Sequence, residues 1–158
     1  LADNTVEELK HIHAVYDLAK EQGDITDSSY EALEKRWKDE NAERSEKVEK
    51  GEVIYGLKEY TFQLYLDYEI STLKEKYCND TNREGMKLTE DEIQEHYQSR
   101  EWIFGDSDEN ADLEMARIAV ERELRQQKYD DMITQRETDS QVAGNMENVN
   151  RLTLKNIQ

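Results

Sequence analysis

Residues 51–78, GEVIYGLKEYTFQLYLDYEISTLKEKYC, decide how the rest of the chain is read. Placed on a helix at about 100° per residue, Phe62, Leu66, Ile70, Leu73 and Tyr77 fall on one face. Leu57, Tyr60, Leu64 and Tyr68 fall on a face nearly opposite. Lys58, Glu69 and Lys76 mark one polar strip between the faces, and Gln63, Asp67 and Lys74 mark the other. A surface helix needs one apolar stripe, so a helix from Leu57 to Tyr77 with two opposed stripes is expected to be a central element between two neighbours.

Composition points the same way. The 158 residues are the length of one domain with a single core. Hydrophobic residues make up 35% and charged residues 37%, so the helices that bury this core must expose much of their circumference. The chain contains no proline, which leaves long helices uninterrupted. The fold class is therefore mainly α, with about five long, partly exposed helices around the two-faced one. The formal net charge is −17. Phosphate backbones and anionic lipid surfaces reward Lys/Arg clusters, which this chain lacks, so neither nucleic acid nor electrostatic docking to a membrane is expected. No apolar run approaches the roughly 20 residues of a membrane span. Cys78 is the only cysteine, which rules out an intrachain disulfide and reads as a half-buried residue at a helix end.

On either side of the central stretch the signals are those of ordinary helices. Val6, Leu9, Ile12, Tyr16 and Ala19 have helical spacing over Thr5 to Gln22, and Gly23 ends that run. A second helix is expected from Ser28, whose hydroxyl would form a capping box with Glu31, to a stop at Gly51. Tyr30, Leu33, Trp37 and Val48 share one of its faces, with Asn41 and Arg44 interrupting it. Glu31–Lys35, Glu34–Lys38, Glu40–Arg44, Glu43–Lys47 and Glu46–Lys50 follow the favourable order for ion pairs one turn apart, the mark of an exposed helix. Thr89 and Glu92 predict a second capping box, with Leu88 stapled to Ile93, for a short helix ending near Arg100. A long helix follows over about Asp112 to Glu137, with Leu113, Ala116, Val120 and Leu124 on its first stripe and Tyr129, Met132 and Ile133 on a shifted one. Val149 to Leu154 alternates like a strand and is expected to pair with Val53 to Tyr55 in a small β element.

Reaction chemistry is not written in the sequence. There is no nucleophile motif, phosphate loop or dinucleotide fingerprint, and no enzymatic activity or cofactor is expected. His11 and His13 point about 200° apart on a helix, and His96 has only Glu92 one turn away. Asp106, Asp108, Asn110 and Asp112 begin like a calcium loop. That pattern fails at Ala111 and Arg117, where glycine and a bidentate glutamate are needed, so the loop reads as a set of carboxylates capping the next helix. The aromatic residues Tyr55, Tyr60, Tyr65, Tyr68, Trp102 and Phe104 are the candidate binding set: together they can line a groove for apolar peptide segments.

Three stretches resemble a known family. KGEVIYGLKEYTFQLYLDY is similar to the N-G-x-x-I-x-x-x-E-F entry of the SurA/PrsA-type chaperone domain of secreted peptidyl-prolyl isomerases. KLTEDEIQEHYQSRE and ARIAVERELRQQKYDDMI resemble the two helices that follow in that family. The resemblance implies one helical chaperone-like domain over 1–158: a two-helix addition at 1–50, a core at 51–137 and a closing tail at 138–158. A parvulin isomerase domain of about 90 residues cannot fit after Glu137, so isomerase activity is not implied. What is implied is a non-enzymatic module that holds unfolded or extended polypeptide clients outside the cytoplasm, exported or lipid-anchored through an N-terminal segment preceding Leu1. The alternative is a structural or assembly protein that binds one dedicated folded partner or a second copy of itself as a homodimer.

Overall fold

The computed structural model describes residues 2–139. They form five helices: α1 (Ala2–Glu21), α2 (Tyr30–Glu49), α3 (Phe62–Asn79), α4 (Glu90–Gln98) and α5 (Leu113–Asp139). The mainly α class is as the sequence indicates, and there is no strand among the described residues. Val53 to Tyr55 is irregular backbone, and the tail expected to pair with it lies outside those residues. The chain forms two compact units. One holds α1, α2 and α3 as far as Leu73, with α5 from Arg136 onward, and the other runs from Lys74 to Gln135.

Helix ends in the first unit are set by local hydrogen bonding. At the end of α1 the Gly23 amide donates to Lys20 O (3.0 Å) and the Asp24 amide to Ala19 O (2.8 Å). Those two bonds satisfy carbonyls that the last turn would otherwise leave without a partner. The same pair recurs after α2, from Gly51 to Val48 O and from Glu52 to Lys47 O, with Gly51 at φ +71°, where a Cβ would be strained. The start of α2 falls one residue later than the sequence suggests. Asp27 Oδ1 accepts from the Ser29 amide (2.8 Å), which makes Ser29 the cap, and its hydroxyl accepts from Ala32 N (3.2 Å). Four of the five expected ion pairs form along α2, while Lys35 turns forward to Asp39.

The apolar core of this unit brings Leu9, Val15, Tyr16, Leu18 and Ala19 of α1, Leu33 of α2, and Phe62, Leu66 and Leu73 of α3 out of solvent. Phe62 meets Trp37 edge-on at 5.5 Å and Tyr30 at 5.8 Å. Arg136, in the last turns of α5, donates to Glu21, and His11 pairs with Glu137 at 2.6 Å.

In the second unit, Ile93, Trp102, Ala116 and Val120 form an apolar cluster with Leu88, Tyr97, Leu113 and Ala119 packed around it. The capping box of α4 is present: Thr89 Oγ1 accepts from the Glu92 amide, and the Glu92 carboxylate accepts from Thr89 N at 2.8 Å. Glu92 also binds Lys128 of α5. Those donors pull the Glu92 carboxyl down to about 2, with Lys128 the largest influence and the Thr89 amide and hydroxyl next. Tyr77 closes the other end against Tyr129 (5.3 Å), with the Arg83 guanidinium over its ring. Cys78 is buried, and burial pushes its thiol up, so it reads as packing rather than as a reactive group.

Candidate functional site

The irregular stretch between α2 and α3 is where the sequence reading needs its main correction, and it is also the feature that looks most functional. Helix α3 begins at Phe62, five residues later than the periodicity of Leu57 and Tyr60 suggests. The cause lies on α2. Asn41 accepts from the Tyr60 amide (2.8 Å) and donates to Tyr60 O (2.9 Å), holding that residue as a strand partner would. The Trp37 indole N–H also donates to Tyr60 O, at 2.7 Å. Arg44 donates to Tyr55 O (3.0 Å) and Leu57 O (2.9 Å), and its guanidinium lies 4.6 Å from the centre of the Tyr60 ring. Gly56, at φ +82°, makes the bend between those two carbonyls. Thr61 then opens α3, its hydroxyl accepting from the Leu64 amide (3.3 Å).

The result is a backbone held by α2 with its apolar side chains left outside. Val53 is 78% exposed and Tyr55 87%. Leu57, and Leu64 and Tyr68 on the outer stripe of α3, are each more than 40% exposed. The inner stripe, Phe62, Leu66 and Leu73, is buried. Of the two stripes read from the sequence, then, only one is buried among the described residues. Tyr60 stacks on Tyr68 (5.3 Å, 17° between planes), and buried Tyr65 lies behind both, at 6.3 and 6.2 Å. Three of the four candidate tyrosines form one aromatic group, and Tyr55 stands out beside it. Trp102 and Phe104 belong to the other unit. There Trp102 is a core residue, only 2% exposed, with its N–H on Tyr97 O, and Phe104 is half-exposed.

Beneath the aromatic group is a buried polar centre that sequence reasoning missed. Glu69, read as one mark of a polar strip, is 9% exposed. Its carboxylate accepts from Tyr16 (2.5 Å), Tyr65 (2.9 Å) and two nitrogens of Arg36 (2.7 and 3.2 Å). Burial, and then the negative carboxylate, hold both phenols above their ordinary range. Burial works against the charge on Arg36, but the hydrogen bond and charge of Glu69 outweigh it, so the guanidinium is held above its usual value. Four donors fill the roughly four acceptor positions of a carboxylate. No position remains for a substrate, so this is a fastener between α1, α2 and α3 rather than a catalytic group.

The other candidates resolve into structural roles. Asp112 Oδ1 accepts from the Met115 amide as the cap of α5, and Asn110 Oδ1 accepts from the Trp102 amide at 2.5 Å. His96 pairs with Glu123 (3.2 Å), and His13 lines a small apolar cavity with Tyr16, Leu33 and Phe62. Among the described residues no group of three or more His, Cys, Asp or Glu side chains is arranged to hold a metal ion, and no helix is long and apolar enough to cross a membrane.

No family model matches the chain. A curated relative, "Chaperone for lacto-N-biosidase" of Bifidobacterium longum subsp. longum, is 31% identical over 136 residues, or 86% of this chain. The chain spans about half (49%) of the length of that relative. Among solved structures, the GH136 lacto-N-biosidase from Eubacterium ramulus matches 90% of this chain and 28% of its own, with a TM-score of 0.71 and 19% identity, a likeness of fold. These findings overturn the resemblance to the SurA/PrsA-type domain. The residues that suggested it have local explanations: Gly51 terminates α2, Thr89 and Glu92 cap α4, and the apolar spacing of α5 is that of any helix packed on one side.

Proposed function

We propose that this chain is a non-enzymatic chaperone module dedicated to a glycosidase of the lacto-N-biosidase class, docking on it through Val53, Tyr55, Leu57, Leu64 and Tyr68. One observation carries the reading: an exposed apolar and aromatic face stands on backbone fixed by Asn41, Arg44 and Trp37. A surface fixed before binding loses little conformational freedom when a partner docks, which favours one folded client of matching shape over many extended ones. Tyrosines give large contact area with few rotatable bonds and are enriched among the residues that dominate binding energy. The name of the Bifidobacterium relative supports both the chaperone role and the enzyme class. The Eubacterium chain supports the pairing, because a helical body of this fold there shares one polypeptide with a lacto-N-biosidase.

The test is co-expression of a lacto-N-biosidase with the chain, with its Tyr55→Ala/Leu57→Ala variant, and alone. Soluble active enzyme should rise at least tenfold with the chain and fall back with the variant, whose circular dichroism and melting stay unchanged. Equal yields of active enzyme in all three would refute the reading.

A further inference from the structure

The second unit carries an apolar face of its own, with a distinct electrostatic character. Met115 and Ile118, on the outer side of α5, are 71% and 85% exposed, the latter among the most exposed large apolar side chains of the described residues. Arg122, one turn beyond Ile118, shares their side of the helix. In the same unit Ile103 (50% exposed) and Phe104 (42%) border a cleft of about 210 Å³ that Ala119, Arg122 and Glu123 also line.

The charges on this cleft are unequally engaged. The Glu123 carboxylate is taken up by Arg100, through two nitrogens, and by His96. Arg100 in turn lies 3.9 Å from the centre of the Trp102 ring. Arg117 and Arg125, at the same end of α5, are bound by Glu90 and Glu121. Arg122 has no hydrogen bond or ion pair among the described residues, and it is exposed. In a chain of net charge −17, an unpaired guanidinium on a cleft bordered by exposed Ile103 and Phe104, with Ile118 one turn before it on the same side of the helix, is a cation that no neighbour neutralises. At physiological ionic strength the screening length is about 8 Å, so a group docked in the cleft meets Arg122 more strongly than charges remote from the cleft, while Glu123 is already engaged by Arg100 and His96.

We propose that this cleft is a second docking surface, whose occupant is an apolar segment of a partner protein carrying a carboxylate that pairs with Arg122. The partner's apolar side chains sit against Ile103, Phe104 and Ala119, and a neighbouring aspartate or glutamate receives the guanidinium, which binds carboxylates through two parallel N–H donors. The inference stands on charge and exposure in the second unit alone and does not depend on which enzyme the first unit serves.

The experiment uses the whole chain and two labelled peptides, one with a Leu-Phe-Leu centre flanked by glutamates and one with the same centre flanked by lysines. The acidic peptide should bind at least tenfold more tightly in fluorescence anisotropy, with amide shifts in 15N NMR centred on residues 103–104 and 115–122. Arg122→Glu should reverse the preference while leaving the spectrum of the free protein otherwise intact. Equal affinity for both peptides, tighter binding of the basic one, shifts centred elsewhere, or no binding of either at millimolar concentration would each overturn the proposal. Concentration-dependent shifts of the same residues without peptide would replace it with a second copy of the chain as occupant. Loss of glycosidase rescue by the first-unit variant, with peptide selectivity retained, separates failure of one reading from failure of the other.

Discussion

Two of the connections between helices, residues 50–61 and 99–112, solve the same problem in opposite ways. Each must satisfy a run of backbone groups without a helix or sheet to do it. In the first, polar side chains of α2 reach the backbone, and the residues of the connection turn their apolar groups outward. In the second, Trp102 is driven into the core, Ala111 N bonds Trp102 O at 2.8 Å, and Tyr97 OH bonds Ala111 O at 2.8 Å. The acidic residues Asp106, Asp108 and Glu109 are left in water. A connection that buries its largest side chain is anchored in the core, even where Ile103 and Phe104 beside that side chain stay exposed. One that is held from behind and shows its apolar side chains is built to meet something else.

Removing Trp102 should cost most. Trp102→Ala takes the largest side chain out of the second unit's cluster, and a loss of about 4 kcal/mol in unfolding free energy is expected, read as a lower urea midpoint. If Trp102 were instead the binding residue its aromatic character suggests, stability would barely move. Arg36→Met comes next. It strands the Glu69 carboxylate with two phenols as its remaining donors, and a loss of about 3 kcal/mol follows, the low end for breaking a buried pair because Arg36 keeps some contact with solvent.

Asn41→Ala sharpens the comparison directly. It removes two hydrogen bonds to Tyr60, so stability falls by about 2 kcal/mol, and amide exchange over residues 52–61 accelerates while α1 and α4 stay protected. Tyr55→Ala should do the reverse: stability within about 0.5 kcal/mol of the parent, with loss of partner binding of about 2 kcal/mol. The smallest effect concerns acid. Glu92 titrates at about 2 in the folded protein against an ordinary 4.5. Its contribution is therefore complete above the ordinary carboxylate range and disappears as pH falls toward 2. Glu92→Gln should be less stable than the parent at pH 7, and the two should converge near pH 2.

Much of this architecture was legible in the sequence because it rests on local rules. The Thr89–Glu92 cap, the glycine stops after α1 and α2, and the i,i+4 pairs of α2 need only neighbours in the chain. What misled was tertiary. Asn41 and Arg44 looked like interruptions of an apolar face, when they are the groups that hold residues 55–60 and delay the start of α3. Glu69 looked like a solvated marker because its partners Tyr16 and Arg36 come from two other helices. The sequence marks Tyr55, Tyr60 and Tyr68 only as aromatic, and spacing alone could not separate them from Tyr65 and Trp102, which are buried. The one available clue was composition: Val53, Tyr55 and Leu57 sit between charged residues in a stretch with Gly at both 51 and 56.

Hydrogen-exchange mass spectrometry of the chain with and without a lacto-N-biosidase tests the central claim most directly. Added enzyme should slow exchange over residues 53–68 by at least tenfold, and Tyr55→Ala should abolish that protection. Unchanged exchange across 53–68 in the presence of saturating enzyme would contradict the account, whatever happens elsewhere in the chain.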